Sequence, residues 1–570
     1  MTRQRGRIIC SINVSLPATK PPLSLTAEPG NPDSCDWGNI SWGHFTSRDG
    51  LHWEHNGAKP SLRPDQPYDD KGVFTGCFYP GGPKGKKGGN LLTVVYSSIT
   101  ALPIHWTIPY TRNCAGLALA TSGDGGRTWQ KSSLNPVLKG EPDGVTVTGF
   151  RDPVLAEWQA MDVARGVGKD KMLYGLVSGG IVGQGPNAFV YEVPADDLAS
   201  WKYVGPLVDV PVDFQRPSHW TGDFGVNWEC VNFMTLREES SAAETQMLIM
   251  GTEGGLRKDA TPEDEDPHGV WAMWMGGSLK KTDDGVRLES EFTGFLDNGC
   301  FYAANSYEHP VSGKRIVWGW IKEEDLTLAR RESKGWTGYL SLQRELFLFS
   351  ANNVVGTIGT PLEDIPSFKV IVGDRGRTVQ TLGIRPLQEL QTLRRSSPLT
   401  WTNVSTHGEL AGHLVDTRST NWELEALIRV HPGHQKIGFD IRHNRDKSQR
   451  TSVYFSPIQE EIVVDRGMSN TENDIQKDSH SGPFTLLVSE GPDGRETEML
   501  RLRIFSDGDV LEVFANDRFA LSTVVYTDSR TCTGISWFIE TEVAETSPVF
   551  ESVSIWEGLQ SIQGSKASHL

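Results

Sequence analysis

The chain has 570 residues, of which 37% are hydrophobic and 22% are charged. This is enough apolar material for full-sized cores, which excludes a disordered chain and predicts two or three domains. A net charge of −17 repels phosphate backbones, so nucleic-acid binding is not expected. The 60 glycines, together with 18 Trp and 22 Phe, favour a β-rich protein with many turns.

The cysteine spacing and the first ten residues indicate whether the chain is a secreted, disulfide-bonded protein. Seven cysteines are scattered without any C-x-x-C spacing, and an odd number leaves at least one thiol unpaired. Neither a zinc site nor a disulfide scaffold is therefore expected. Met1–Cys10 is basic but no apolar segment follows it, so no signal peptide is predicted and the chain as written reads as cytoplasmic.

Two long uncharged stretches, residues 88–111 and 172–191, have the length of a membrane span. The first contains Pro103, His105 and Pro109, and the second is rich in glycine. Both patterns indicate buried strands and turns rather than an apolar helix of about 20 residues. No membrane association is predicted.

Short β-type segments recur through the first 350 residues, each bounded by Gly, Pro, Asp or Asn, as strands with tight turns require. No long stretch has a 3.6-residue apolar period, so little helix is expected. Typical segments are residues 91–96, 172–177, 188–193, 246–250 and 315–320.

A turn pattern occurs twice. Residues 47–53 and 122–129 share the pattern Ser-x-Asp-Gly followed by Trp, in which Asp and Gly supply the turn and Trp fills the layer beneath it. A repeated turn of this kind suggests repeated four-stranded units, and therefore a β-propeller. Two unrelated hairpins are the alternative.

The second half of the chain has a different organisation. Residues 351–392 contain several prolines between polar segments and are predicted to be a linker. Residues 393–570 contain strands that alternate apolar and polar side chains, which predicts a β-sandwich domain. Residues 31–350 would form the propeller domain, and residues 1–30 are an atypical N-terminus that the pattern does not place.

Three acidic residues stand out by their neighbours. Asp152 lies between Arg151 and Pro153, so the cation could keep the carboxylate ionised. Glu229 follows Trp228 and precedes Cys230, and apolar neighbours favour the protonated form that a general acid needs. Sugar hydrolysis uses two carboxyl groups in such contrasting surroundings. A structural ion pair and an exposed strand Glu are the alternatives, and Asp297 by itself resembles any turn Asp.

Taken together, these segments resemble glycoside hydrolase family 32, the invertase, inulinase and fructosyltransferase family, and most closely its fungal members. The resemblance covers residues 31–558 and implies a five-bladed β-propeller followed by a β-sandwich. The segments that carry it are Trp37–Trp53, Gly72–Gly76, Pro103–Tyr110, Phe150–Pro153, Trp228–Cys230, Leu296–Ala303, Arg315–Trp320 and Leu511–Asn516.

The resemblance implies a retaining double-displacement mechanism on β-fructofuranosides such as sucrose, fructo-oligosaccharides or inulin. Glu229 would be the acid/base, Asp152 would stabilise the transition state, and Arg151 would orient Asp152. The substrate-binding residues would be Trp42, Phe74, Thr75 and Asp297. A sugar is the expected partner, no metal or cofactor is implied, and a homodimer is left open. Family relatives are mostly secreted.

The nucleophile departs from the family pattern. In the family it is an Asp on the strand before the one that leads to Trp37, and residues 1–30 contain no Asp. Asp33 and Asp36 are expected to be loop residues ahead of Trp37. The nucleophile is therefore unknown, and the chain either begins too late or replaces the family's start.

Three functions remain open from the sequence. The first is hydrolysis of β-fructofuranosides, with fructosyl transfer to a second sugar as its variant. The second is fructoside binding without turnover, because the nucleophile motif is missing. The third is a sialidase-type propeller, which would need an arginine cluster and a tyrosine nucleophile that are not found near the repeated turns.

Overall fold

The protein is described here by a computed structural model. The residues it describes are 7–8, 13–15, 23–31, 40–47, 49–55, 59–85, 91–168, 172–210, 219–238, 243–256, 268–283, 285–373, 376–404, 412–492, 494–528, 531–542 and 549–559.

These residues form an all-β protein, as the glycine and aromatic content predicted. The α-helices are α1 (Gln159–Arg165) and α2 (Leu328–Lys334), and single 3₁₀ segments span Leu362–Asp364 and Gln388–Leu393. Among the described residues, no helix is long and apolar enough to cross a membrane.

The first part of the chain forms five consecutive antiparallel sheets. The first contains β1 (Arg7–Ile8), β2 (Asn13–Ser15), β3 (Leu23–Asn31), β4 (Ser41–Ser47) and β5 (Trp53–His55). The second contains β6 (Gly72–Tyr79), β7 (Leu92–Ile99), β8 (Ala115–Ser122) and β9 (Gln130–Lys131). The third contains β10 (Val147–Ala156), β11 (Met172–Ile181), β12 (Gly185–Pro194) and β13 (Lys202–Pro206). The fourth contains β14 (Asn227–Arg237), β15 (Glu244–Leu256), β16 (His268–Thr282) and β17 (Gly285–Asp297).

The fifth sheet extends further along the chain than the sequence predicted. Its strands are β18 (Phe301–Glu308), β19 (Arg315–Ile321), β20 (Tyr339–Leu340), β21 (Arg344–Ala351), β23 (Lys369–Gly373) and β24 (Gly376–Pro386). The strand between β21 and β23, β22 (Val354–Thr357), belongs to a different sheet. Because β21 is paired with β24 along the whole of β21, and β24 pairs in turn with β23, residues 369–386 of the predicted linker belong to the fifth sheet. The prolines that suggested one lie between strands or at a strand end.

The starting strands of the five sheets contact each other in a closed order. β6 contacts β10, β10 contacts β14, and β14 contacts β18. β2 contacts both β18 and β6, which closes the ring. β1 and β2 pair along the same edge of β3, so together they provide the innermost edge of the first sheet.

The repeated Ser-x-Asp-Gly turns join the last two strands of the first and second sheets. Ser47 Oγ accepts a hydrogen bond from the Gly50 N–H at 2.9 Å, and Asp49 Oδ1 accepts one from the His52 N–H at 2.8 Å. Ser122 and Asp124 make the same kind of bonds to Gly126 and Thr128. Gly50 has a φ of 75°, a left-handed value that glycine adopts without strain. The turn chemistry that the sequence predicted is therefore present in both places.

The second part of the chain forms two six-stranded sheets and a small three-stranded one. The strands are β25 (Leu399–Val404), β26 (His413–Asp416), β27 (Trp422–Ile428), β28 (His434–His443), β29 (Thr451–Ser456), β30 (Glu461–Asp465), β31 (His480–Pro483), β32 (Leu487–Gly491), β33 (Gly494–Thr497), β34 (Leu500–Asp507), β35 (Val510–Ala515), β36 (Phe519–Val524), β37 (Gly534–Thr541) and β38 (Phe550–Glu557). The sheet orders are β25-β38-β27-β34-β35-β36, β26-β37-β28-β29-β30-β31 and β22-β32-β33.

The two six-stranded sheets share one apolar core. Leu424 on β27 and Leu502 on β34 come from one sheet, and Phe439 on β28 and Val453 on β29 come from the other; all four side chains are buried in this core. Strand alternation puts every second residue on the inner face, which is the pattern that the sequence showed in this half.

A second core joins the two parts of the chain. Phe514 and Ala520, from β35 and β36 of the second part, pack with Leu296, Phe301 and Leu346 from the fourth and fifth sheets. The two parts therefore bury apolar surface against each other.

Candidate active site

Four innermost strands carry the same β-bulge, and three of the bulges hold the polar residues of the site. In β6, β10, β14 and β18, two residues oppose a single residue of the next strand, which bends the strand and redirects side chains. The residues that pair just before the bulge are Val73, Arg151, Glu229 and Tyr302. Arg151, Glu229 and Tyr302 therefore hold the same register position in three consecutive sheets.

The residue after each of these positions has an unusual backbone conformation. Asp152, Cys230 and Ala303 have φ values of 60°, 50° and 49°, in the left-handed region that residues with a Cβ rarely adopt. Such strain persists only where the surrounding structure enforces it, and it is concentrated at functional sites. Here it belongs to the bulges that surround the carboxyl groups.

Arg151 binds two glutamates. Its Nε donates to Glu229 Oε1 at 2.9 Å, and its Nη2 lies 2.8 Å from the same oxygen and 2.7 Å from Glu253 Oε2. The guanidinium is buried, and the charges of Glu229, Glu253 and Asp152 hold its pKa well above the usual value despite that burial. Sequence reasoning missed Glu253, because it lies on a different strand with no motif around it.

Asp152 is bound by the bulge of the neighbouring strand. The Cys230 N–H donates to Asp152 Oδ2 at 3.1 Å, and the Cys230 thiol lies 3.6 Å from the same oxygen. Burial raises the pKa of Asp152 to about 6, although the nearby Arg151 charge lowers it. Desolvation therefore outweighs the cation in setting this pKa, since the guanidinium bonds go to other carboxylates, but a pKa of about 6 still leaves Asp152 mostly ionised at neutral pH.

Glu229 is the partly exposed member of the cluster. Its side chain is 21% exposed, against 7% for that of Arg151. Tyr302 donates its hydroxyl to Glu229 Oε2 at 2.7 Å, so each carboxylate oxygen has one partner. Burial, followed by the Glu229 and Glu253 charges, raises the pKa of Tyr302 well above its usual value. Tyr302 is thus a hydrogen-bond donor to Glu229, a contact that the sequence did not indicate.

Phe74 and Thr75 occupy the bulge of β6, at positions that correspond to Asp152 and Pro153 in β10. Both side chains are nearly buried. In the same region Ser97 Oγ, on β7, accepts the Asp152 N–H at 2.8 Å, which ties the second sheet to the third.

The side chains of Trp42 and Asp297 are not part of the Arg151–Glu229–Glu253 cluster. Trp42 is fully buried on β4 and donates to the Phe74 carbonyl at 3.1 Å, so it supports the bulge of β6 from behind. Asp297 is 2% exposed and accepts bonds from Arg344 Nη1 at 2.8 Å and from the Ser522 N–H at 2.9 Å. Its carboxylate joins the two parts of the chain. The substrate-binding roles expected of Trp42 and Asp297 do not fit these positions, because neither side chain reaches an open surface.

The family's nucleophile would belong to the innermost edge of the first sheet. β1 and β2 provide that edge, and the residues between them, 9–12, lie outside the described part of the chain, as do Asp33 and Asp36. Residues 1–22 contain neither Asp nor Glu. The carboxyl groups that the structure brings together are therefore those of Asp152, Glu229 and Glu253.

Other residue types add little chemistry. Cys77, Cys114, Cys230 and Cys300 are free thiols. Within the described residues, no group of three or more His, Cys, Asp or Glu side chains is arranged to hold a metal ion.

A cleft of about 450 Å³ is linked to one of the carboxyl groups by hydrogen bonds. Thr148, which lines it, donates to Asn227 Oδ1 at 3.0 Å, and Asn227 in turn donates to Glu253 at 2.6 Å. Trp106, Tyr110 and Val182 form part of its wall. The cleft is thus connected to the cluster by a short chain of hydrogen bonds.

Comparison with known proteins identifies the family. The model for the glycosyl hydrolases family 32 N-terminal domain matches residues 30–357, and the model for the family 32 C-terminal domain matches residues 389–557. The chain therefore belongs to glycosyl hydrolase family 32, a family of glycoside-cleaving enzymes.

Individual relatives agree with this assignment. The chain is 26% identical over 548 residues to an acid beta-fructofuranosidase of Solanum lycopersicum, covering 92% of this chain and 76% of the relative. It is similar in structure to a beta-fructofuranosidase of Aspergillus kawachii, with 26% identity, a TM-score of 0.82, and coverage of 99% and 96% of the two chains. A fructosyltransferase from A. japonicus gives a TM-score of 0.84 at 24% identity, covering 99% of this chain and 95% of the other.

Proposed function

We propose that this chain acts on β-fructofuranosides such as sucrose and fructo-oligosaccharides, with inulin as a further candidate, and that Glu229 is its acid/base. The observation that carries the proposal is the alignment of Arg151, Glu229 and Tyr302 at one register position, with Asp152 in the bulge that follows Arg151. The relatives named above, which include beta-fructofuranosidases and a fructosyltransferase, supply the substrate class.

The fold proposed for this function is a five-bladed β-propeller followed by a β-sandwich. The closed order of the five starting strands supports the propeller, and the shared core of the two six-stranded sheets supports the sandwich. In this arrangement the bulges of the innermost strands surround a common axis, so their side chains converge on one site.

The roles follow from the positions. Glu229 is the partly exposed carboxyl and would protonate the leaving-group oxygen, then activate the attacking water or sugar. Asp152, fixed by Cys230, would bind hydroxyl groups of the fructosyl unit as charge develops at its ring. Phe74 and Thr75, in the equivalent bulge of β6, would line the fructose pocket.

A retaining mechanism also needs a nucleophile. The strands β1 and β2 contain no acidic residue, and this observation favours a second candidate function, in which the chain binds fructosides without turnover. Loss of a nucleophile costs several orders of magnitude in rate.

One experiment separates the candidates. The purified chain is incubated with concentrated sucrose, free glucose and free fructose are quantified, and thermal stability is measured with and without the sugar. Equal release would mean hydrolysis, and excess glucose would mean fructosyl transfer. Stabilisation without release would mean binding alone, and neither release nor stabilisation would refute the proposal.

The matched variant is Glu229→Gln, which keeps the shape of the side chain and removes its proton transfer. Release of sugar should fall by about 10²–10⁴-fold, while stabilisation by the sugar persists. Near-normal release by this variant would show that another group is the acid/base.

A further inference from the structure

The cluster contains more carboxyl groups than its one cation can neutralise. Arg151 contacts Glu229 and Glu253 directly, and Asp152 is its neighbour in the chain. Burial makes an unpaired charge costly, so carboxyl groups that share one guanidinium compete for it. The proton affinity of each one then depends on the charge of the others.

The Glu253 carboxylate accepts two hydrogen bonds at one oxygen, Oε2. Arg151 Nη2 donates to Glu253 Oε2 at 2.7 Å, and Asn227 Nδ2 donates to the same oxygen at 2.6 Å. Asn227 pairs with Glu253 across β14 and β15, so the position of the carboxylate is fixed by the sheet as well. Its side chain is 12% exposed.

The groups that face Glu253 come from several elements. β10 contributes Arg151 and Asp152, and β14 contributes Glu229, which Tyr302 of β18 also contacts. Asp223, in the segment before β14, accepts the backbone N–H groups of Gly225 and Leu256. Burial and then the Glu229 charge raise the pKa of Glu253 to about 7, while Arg151 and Asn227 lower it.

We propose that Glu253 is a positioning residue. It shares Arg151 with Glu229, and its negative charge offsets part of the positive charge that Arg151 presents to the acid/base. An Arg that served Glu229 alone would favour the ionised carboxylate, which cannot donate a proton to the leaving group. Glu253 thus lets Glu229 sit in a fixed hydrogen-bonded geometry beside a cation and still act as an acid. This proposal rests on the proposed acid/base role of Glu229.

The test is Glu253→Gln, because the two bonds to Oε2 can both be kept by an amide oxygen while the charge is removed. The basic limb of the pH profile of kcat/KM for sucrose should move to lower pH by about one unit, since Arg151 then acts on Glu229 without competition. Activity on the acidic side of the profile should stay close to that of the unmodified chain.

The matched control is Glu192→Gln. Glu192 is a buried glutamate on β12 that is paired with Arg165 Nη2 at 2.6 Å, so the substitution removes a similar ion pair away from the cluster. It should leave the basic limb unmoved. Glu253→Asp keeps the charge with a shorter side chain, so its basic limb should stay close to that of the unmodified chain. This variant serves as the comparison if Glu253→Gln folds poorly.

A second readout does not need turnover. Infrared titration of the carboxyl band, taken as the difference between the unmodified chain and Glu229→Gln, reports the proton of Glu229 together with the response of the carboxyl groups coupled to it. The same difference measured in chains carrying Glu253→Gln should have a midpoint at lower pH. If sucrose is not cleaved, the proposed turnover fails, and this titration still decides the role of Glu253.

Three results would overturn the proposal. One is that Glu253→Gln shifts neither the basic limb of the kcat/KM profile nor the midpoint of the infrared titration. Another is a rise in KM without a shift of the profile, which would make Glu253 a contact of the sugar. The third is an equal shift in Glu192→Gln, which would show a general effect of removing buried charge.

Discussion

At the scale of single residues, burial decides the charge of Asp152 more than its sequence neighbour does. Arg151 follows Phe150 and precedes Asp152 in the chain, but its guanidinium bonds reach Glu229, which is 78 residues away, and Glu253. The Asp152 carboxylate is left with the Cys230 N–H and thiol, and burial raises its pKa to about 6. An ionised Asp152 therefore costs folding free energy at neutral pH.

This cost predicts the effect of Asp152→Asn. The folded-state pKa is raised above the ordinary value of 3.8, so the stability that this group contributes is present at low pH and is lost as pH rises through about 6. The amide removes the buried charge and should stabilise the fold by about 1–3 kcal/mol at pH 7, and by less at pH 4.

Sugar release should meanwhile fall by orders of magnitude, because the carboxylate no longer stabilises developing charge. Thermal unfolding at both pH values, together with the sucrose assay, checks this prediction. A lower melting temperature at pH 7 than that of the unmodified chain would contradict it.

At the scale of elements, the junction between β17, β21, β35 and β36 contains one fully buried arginine. Arg344 on β21 is fully buried, and it lies 2.8 Å from Asp297 Oδ2 and 2.7 Å from Glu512 Oε2. It also bonds to Ser522 Oγ, and Asp297 accepts the Ser522 N–H and hydroxyl. Two carboxylates and one cation are thus buried together where the two parts of the chain meet.

Removal of this cation should be costly. Arg344→Met keeps most of the volume but leaves Asp297 and Glu512 buried without a counter-charge, which typically costs about 3–5 kcal/mol. The free energy of unfolding in urea measures the loss. The control is Arg330→Met, because Arg330 pairs with Asp474 and Glu472 at the surface and its loss should not be measurable. Equal effects of the two substitutions would contradict the prediction.

At the scale of the whole molecule, the fourth and fifth sheets share the core that contains Phe301, Leu346 and Phe514 with the sheet that contains β34, β35 and β36. Apolar burial across a junction couples the stability of its two sides, since neither can unfold without exposing the other. The chain should therefore unfold as one unit.

Calorimetry tests this coupling. A single thermal transition is expected for the unmodified chain, and also for Phe439→Ala, which opens a cavity in the core of the two six-stranded sheets and should cost about 3–5 kcal/mol. If Phe439→Ala lowered only one of two resolved transitions, the parts would unfold independently. Phe514→Ala, at the junction itself, is the variant most able to uncouple them.

Much of the fold could be predicted because its signals are local. The all-β class, the Asp-Gly turns after Ser47 and Ser122, and the alternating strands of the second half depend on side chains a few residues apart. The sequence predicts a linker over residues 351–392 because Pro361 and Pro366 interrupt the apolar pattern between strands, and only the pairing of β24 with β21 reveals the sheet.

The site divides in the same way. The sequence by itself determined the family and singled out Arg151, Asp152 and Glu229, because each lies in a short motif of distinctive neighbours. Only the tertiary structure decided which partners they have. Strand register brings Glu253 and Tyr302 to the cluster. Asp297 lies outside it and binds Arg344 and Ser522, the latter 225 residues away in the chain. The physical reason is that hydrogen bonding and desolvation act through space, and the bulges that bring these side chains together are set by pairing between strands far apart in the chain.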